Sequence, residues 1–213
     1  MYTDPQCTLE AAQDNAIRRI HEKCRVKVSP AAPCCVLLFP NSPPPAPQPG
    51  HRVLDIGCGW GTLAGHAARE LGGESVGVTL SAEGAKWCRE HHPEASFMLC
   101  DYRDIPTDTP KFDAVTSIEM AEHVGLANFQ VYLSKVADLL TDDGAFLLQV
   151  AGFRRGADYK DLAWALFMGR YIFPGANAST PLYWYIEELE QAGFEVESVE
   201  NIGPHYSLTL NQW

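Results

Sequence analysis

A chain of 213 residues with 46% apolar side chains can bury one substantial core, and a second complete domain would be a squeeze. The formal net charge of −11 repels a phosphate backbone and argues against nucleic acid as a partner. The seven cysteines (Cys7, Cys24, Cys34, Cys35, Cys58, Cys88 and Cys100) form neither a C-x-x-C pair nor a zinc spacing. Reduced thiols on a cytosol-facing protein are therefore expected, with no metal site. The longest apolar run, Ala31 to Phe39, is far shorter than the roughly 18 to 20 residues of a bilayer span, and no signal-peptide order precedes it.

In chain order, a helical segment over 1–28 leads into a stretch, 29–49, that holds more than half of the fifteen prolines. Such a composition disfavours helix and central strand, so an exposed, disordered insert is expected. From residue 50 onward the pattern alternates. His51 to Ile56 reads as a strand, Thr62 to Leu71 as a helix, Ser75 to Val78 as a strand, and Ser81 as the N-cap of the next helix. Ala95 to Cys100 and Phe112 to Ile118 follow as strands, Asn128 to Leu140 as a helix, and Ala145 to Val150 as the fifth strand after an Asp143-Gly144 turn. After an apolar, aromatic stretch from Tyr159 to Phe173 come a break at Pro174-Gly175, a helix from Pro181 to Ala192 and a sixth strand over Phe194 to Ile202. This rhythm implies an α/β fold with a doubly wound, mostly parallel sheet spanning 50–213.

Where the first strand hands over to its helix stands Asp55-Ile56-Gly57-Cys58-Gly59-Trp60-Gly61. Glycines there let backbone approach a nucleotide-type ligand without a Cβ in the way. A dinucleotide fingerprint needs G-x-G-x-x-G and an acidic residue about 20 positions on. The spacing here is G-x-G-x-G and the second strand ends in Thr79, so a nicotinamide cofactor fits poorly. Asp101-Tyr102, after the third strand, pairs a carboxylate able to accept from an adenine amino group with a ring able to cover the base. The bland alternatives are a ligand-free tight turn and a solvated acidic turn.

Val53 to Gly61 (VLDIGCGWG), Gly77 to Ser81 (GVTLS), Asp101 to Ile105 (DYRDI), Glu122 to Gly125 (EHVG) and Tyr171 to Gly175 (YIFPG) resemble, in order and spacing, the cyclopropane fatty acid synthase family of S-adenosylmethionine-dependent methyltransferases. Glu119 to Gly125 (EMAEHVG), Leu148 to Phe153 (LQVAGF) and Leu166 to Pro181 look closer still to its sphingolipid 9-methyltransferase branch. The resemblance implies a class I methyltransferase (Rossmann-like) fold binding S-adenosylmethionine and methylating an alkene carbon of a sphingolipid. By the same resemblance Asp55, Gly57, Cys58, Gly59, Trp60, Gly61, Thr79, Leu80, Asp101 and Tyr102 would line the cofactor. It also implies a lipid substrate presented at a membrane surface, with the endoplasmic reticulum as location. The oligomeric state is not legible.

An isolated alkene is a poor nucleophile, so catalysis must position it and stabilise a carbocation. Glu122 is the first candidate for that task, with His123 and Tyr206 beside it, though a carboxylate on a helix dipole, an orienting histidine and a packed ring are the structural alternatives. In cyclopropane synthases a bicarbonate ion held by a carboxylate, a strand-five histidine, a tyrosine and an N-terminal cysteine segment is thought to take the proton. Glu122 and Tyr206 match that set, while Gln149 stands at the histidine position. Glutamine can donate to an anion but cannot relay a proton, which favours methyl branching over cyclopropane closure. The apolar run Leu162 to Ile172 suits an acyl tunnel, a membrane-facing surface or a plain core helix.

Against the family pattern, only Met1 to Thr3 stand where its cofactor lid belongs, Val28 to Gln48 resembles an insertion, and Tyr206 to Trp213 resembles the start of a further helix. The antiparallel seventh strand beside strand five is therefore expected to be lacking. Three functions follow as alternatives: a sphingolipid C-methyltransferase, a cyclopropane-fatty-acyl-phospholipid synthase, or an inactive cofactor-binding remnant.

Overall fold

A computed structural model describes residues 7–23, 36–39, 50–152, 159–177 and 179–210. After α1 (Leu9–Lys23) and β1 (Val36–Phe39), the chain alternates through β2 (Val53–Ile56), α2 (Thr62–Leu71), β3 (Ser75–Thr79), α3 (Ala82–His91), β4 (Ser96–Leu99) and β5 (Phe112–Ile118). It continues with α4 (Phe129–Leu139), β6 (Leu140–Gln149), α5 (Tyr159–Phe167), α6 (Leu182–Gln191), β7 (Glu195–Val199) and α7 (Gly203–Leu210). The sheet order is β4-β3-β2-β5-β6-β1-β7. The first five of these strands pair in parallel. The doubly wound, mostly parallel α/β architecture is thus as expected.

Alternation along the strands splits the core in two. Leu54, Ile56, Val115, Phe146 and Leu148 pack with Phe129, Tyr132, Leu133 and Val136 of α4 and with Tyr185 and Leu189 of α6. Val53, Ala114, Ala145 and Leu147 point the other way, onto Ala67 of α2 and Ile20 of α1. Strands buried on both faces, as β2, β3 and most of β6 are, belong to a sheet covered by helices on each side. Small residues at Ala64, Ala67 and Ala68 let α2 lie close to the strands.

Two expectations need correction. The sheet does not lack its seventh strand: Val36–Phe39, inside the stretch expected to be a disordered insert, pairs antiparallel with β6 on one side and β7 on the other. The physical reason is local. Between Pro33 and Pro40 runs a proline-free window ending in Val-Leu-Leu-Phe, and the otherwise unpaired edge of β6 offers it a complete ladder. The rest of 29–49, the lid position at 1–3 and the last residues, 211–213, lie outside the described residues. Secondly, the Asp143-Gly144 turn is no strand boundary. β6 already begins at Leu140, opposite Phe112, and resumes at Ala145 opposite Ala114, so the acidic turn is an excursion within the strand.

Because β1 is paired on both sides, Leu37→Pro, which deletes an amide donor in mid-ladder, should lower the urea midpoint of unfolding by an amount equivalent to roughly 1–3 kcal/mol. An unchanged midpoint would mean that β1 is not part of the stable sheet.

Candidate active site

All the parallel strands end at one edge, and ligands of open α/β sheets bind outside such carboxyl ends. There, at the end of β2, the chain makes three left-handed turns in succession, with φ of 82° at Gly57, 53° at Gly59 and 77° at Gly61. The amides of Gly57 and Cys58 both donate to the Val78 carbonyl, at 2.9 and 3.0 Å, which fastens the turn to β3. A Cβ on Gly57 would lie 2.5 Å from Met120, and one on Gly61 would lie 2.8 Å from both Cys88 and Phe97. At Gly59 a Cβ would meet nothing. Gly57 and Gly61 are therefore required by packing, whereas Gly59 opens onto free space where a ligand can approach the backbone.

The other residues expected to line a cofactor differ in their exposure. Asp55 is buried and accepts from the Thr116 hydroxyl at 2.8 Å, and burial pushes its carboxyl up to about 6. Cys58 is buried against Cys88, and both are free thiols, as are Cys7 and Cys100. Thr79 ends β3, its hydroxyl accepting from the Ser81 amide, while Leu80 and Trp60 expose 74% and 64% of their surface beside the turn. Trp60 meets Trp87 edge-on at 5.8 Å between ring centres. Asp101 accepts from the backbone amide and the guanidinium of Arg103, which holds its carboxyl below the usual range. Any adenine amino group at Asp101 must share it with that arginine. Tyr102 stands edge-on to Tyr132, centroids 5.1 Å apart.

One strand further along the sheet, β5 and β6 end side by side, with Ile118 paired to Gln149. The next residue, Glu119, turns the chain out of β5 with φ of 53°, the one non-glycine in the left-handed region among the described residues. Its amide donates to the Gln149 carbonyl at 2.9 Å, and its carboxylate accepts from Gln149 Nε2, also at 2.9 Å. The same Nε2 donates to the Tyr206 hydroxyl on α7 at 3.2 Å. A short helical turn, Ala121–His123, then carries Glu122 back under the edge, where it is 5% exposed and accepts from the Ala151 amide. Burial, with the Glu119 charge adding to it, pushes the Glu122 carboxyl up to about 7.

Glu122, Gln149 and Tyr206 are thus brought to one place. His123 is on the exposed side of its turn and its side chain joins none of these hydrogen bonds. Glu119, the residue that links the cluster, escaped the sequence reading. The available signal was an acid three positions before Glu122 at the very end of a strand. Burial also decides the reading of the stretch after β6. No residue of α5 is buried, so it is not a core helix, and Tyr159, Leu162, Trp164, Leu166 and Phe167 present a broad apolar surface. No helix among the described residues is long and apolar enough to cross a membrane.

A β4-β3-β2-β5-β6 parallel core, a glycine turn after β2 and a carboxylate cluster after β5 define a class I methyltransferase-type domain. The chain belongs to the mycolic acid cyclopropane synthetase family, whose model matches residues 46–213. Sphingolipid C9-methyltransferase 2 of Gibberella zeae is 48% identical over 171 residues, covering 77% of this chain and 33% of that protein. Sphingolipid C9-methyltransferase of Komagataella phaffii is 42% identical over 219 residues, covering 97% and 40%. Cyclopropane-fatty-acyl-phospholipid synthase of Escherichia coli is 34% identical over 207 residues, covering 96% and 46%. The chain therefore spans less than half the length of these curated relatives. Among solved structures, cyclopropane synthase MmaA2 from Mycobacterium tuberculosis shares the fold at a TM-score of 0.81 and 24% identity, covering 99% of this chain and 70% of that one. Mycolic acid cyclopropane synthase CmaA1, solved with SAH and CTAB, aligns at a TM-score of 0.76 and 26% identity, covering 97% and 69%.

Gly61→Ala should lower thermal stability clearly, since it combines a left-handed backbone with a clash against Phe97, whereas Gly59→Ala should cost only about 1–2 kcal/mol of backbone strain. Thermal melts of the two variants check this contrast. A second outcome concerns pH. Folded Glu122 keeps its proton up to about 7, while in the unfolded chain it ionises near 4.5. The folded state binds more protons in that window, so this group's contribution to stability falls as pH rises from 4.5 to 7 and is level above. Glu122→Gln should therefore gain stability relative to the unchanged protein as pH is raised from 5 to 8, read by denaturant titration at each pH.

Proposed function

We propose that this chain is the catalytic domain of a sphingolipid C-methyltransferase, transferring a methyl group from S-adenosylmethionine to an alkene carbon of the long-chain base. The observation that carries the reading is the carboxylate cluster of Glu119 and Glu122 at the end of β5, one strand from the glycine turn, in a chain 42–48% identical to named sphingolipid C9-methyltransferases.

The turn fits the methyl donor. Gly59 leaves room for close approach, Trp60 and Leu80 offer exposed apolar surface for it to cover, and Thr79, Asp101 and Tyr102 surround the same edge. When bound, S-adenosylmethionine supplies an electrophilic methyl group on a sulfonium. The chain's own residues do the rest. Negative charge at Glu119, held by Gln149, stabilises the cation that an attacked alkene becomes, and rigid placement of the acceptor alkene supplies reactivity. Loss of a proton from the methylated carbon restores the double bond and leaves a branched chain. A bicarbonate ion, expected from the resemblance, would have to enter a place where Gln149 Nε2 already serves Glu119 and Tyr206.

The exposed apolar face of α5, continued by Tyr171, Ile172 and Phe173, supports a lipid substrate taken up at the cytosolic surface of a membrane, with the endoplasmic reticulum as the expected location. This segment is linked to the cluster, since the Asn177 amide donates to the Glu122 carbonyl at 2.9 Å. Cyclopropane closure is the second reading, favoured by the 34% identity to the Escherichia coli synthase.

Calorimetry of the purified chain with S-adenosylmethionine, and with NAD as control, should give saturable binding of the methyl donor alone. Mass spectrometry of an unsaturated sphingolipid incubated with both should then show a methyl-branched alkene. A cyclopropane product would replace the first reading with the second, and binding without turnover would leave a cofactor-binding domain.

A further inference from the structure

We propose that Glu119 is the group that takes the proton from the methylated carbon, with Gln149 as the residue that positions it. This rests on the methyl-transfer reading above. The bond that breaks is a C–H on the carbon that has just received the methyl group. Its electron pair closes the double bond to the neighbouring cationic carbon, and the proton passes to a Glu119 carboxylate oxygen. A proton next to a carbocation is lost even to a weak base, so an exposed carboxylate is sufficient, provided it is placed correctly.

Three independent features point to Glu119 rather than Glu122. It is exposed at the carboxyl edge of the sheet, on the same edge as the glycine turn, whereas Glu122 is sealed beneath. Its carboxylate is held by Gln149 Nε2 at 2.9 Å, which also donates to the Tyr206 hydroxyl. Burial holds the Glu122 proton toward neutral pH, and the Glu119 charge beside it adds to that shift. Finally, Glu119 occupies a left-handed backbone position that suits glycine, and strain accepted at a single non-glycine residue marks a side chain kept for what it does.

The strained backbone supplies a discriminating test. Glu119→Gly removes the carboxylate and relaxes the chain at once, so it should melt at or above the temperature of the unchanged protein and bind S-adenosylmethionine equally well by calorimetry. Its kcat on an unsaturated sphingolipid should nonetheless fall about 100-fold or more, with KM within a few-fold. Glu119→Gln should show the same loss, and Glu119→Asp should recover part of it. Removing the Glu119 charge should also shift the Glu122 titration, followed by carboxyl 13C NMR, to lower pH whether or not substrate is present. Near-normal kcat in Glu119→Gly, or a rate in the unchanged protein that collapses when bicarbonate is removed from the buffer, would overturn the assignment. Absence of sphingolipid methylation by the unchanged protein would instead overturn the function on which it rests.

Discussion

The ladder between β5 and β6 is the constraint from which the rest of this molecule follows. Its parallel register brings Ile118 beside Gln149, and one residue beyond that pair the chain must leave the sheet. Because parallel strands all end at the same edge, the departure from β5 is next to the departure from β2, where the glycine turn lies. The chemistry and the cofactor turn are neighbours for a topological reason, before any side chain is considered. The ladder also explains the positive φ at Glu119. Its amide is still committed to the Gln149 carbonyl while the following residues turn back to bury Glu122.

Burial then sorts two carboxylates of the same chemistry into different states. Glu122, with one oxygen on the Ala151 amide and little access to water, holds its proton to near neutrality. Glu119 stays at the surface, hydrogen-bonded to Gln149. A second anion buried beside Glu119 would be costly, and keeping the proton on Glu122 avoids it. Asp55 shows the same logic at the end of β2, where burial raises the carboxyl and the Thr116 hydroxyl partly offsets it.

Much of this was legible in the sequence. The alternation of strands and helices, the glycine turn after β2 and the candidacy of Glu122, Gln149 and Tyr206 follow from apolar alternation, glycine spacing and the family motifs. What was missed has a common cause, namely that a local feature was averaged away or depends on pairing across the sheet. Counting prolines over 29–49 hid the short window at Val36–Phe39, whose conformation is fixed by the free edge of β6 and not by its own propensity. Asp143-Gly144 has the chemistry of a turn, yet Leu140 still pairs with Phe112 before the register shifts to Ala145 opposite Ala114, so the strand continues on either side of it. His123 was grouped with Glu122 because they are adjacent, but neighbours on a tight turn face different ways. Glu119 stood out through its backbone angle and its hydrogen bond to Gln149.

The place of β1 has a further consequence for how the molecule is made. Val36 pairs with Leu148 and with Val199, so it must wait for partners that leave the ribosome about 110 and 160 residues later. At about 5 to 20 residues per second those waits are on the order of 6 to 30 s. During that time Val36–Phe39 is an unpaired apolar strand, and β6, once made, has an open edge until β1 docks. Such long-range closure is slow because loop entropy must be overcome before the contact is rewarded. The interval before β1 docks is therefore the period in which the nascent chain is most exposed to self-association, and in which a holding chaperone would have most to shield.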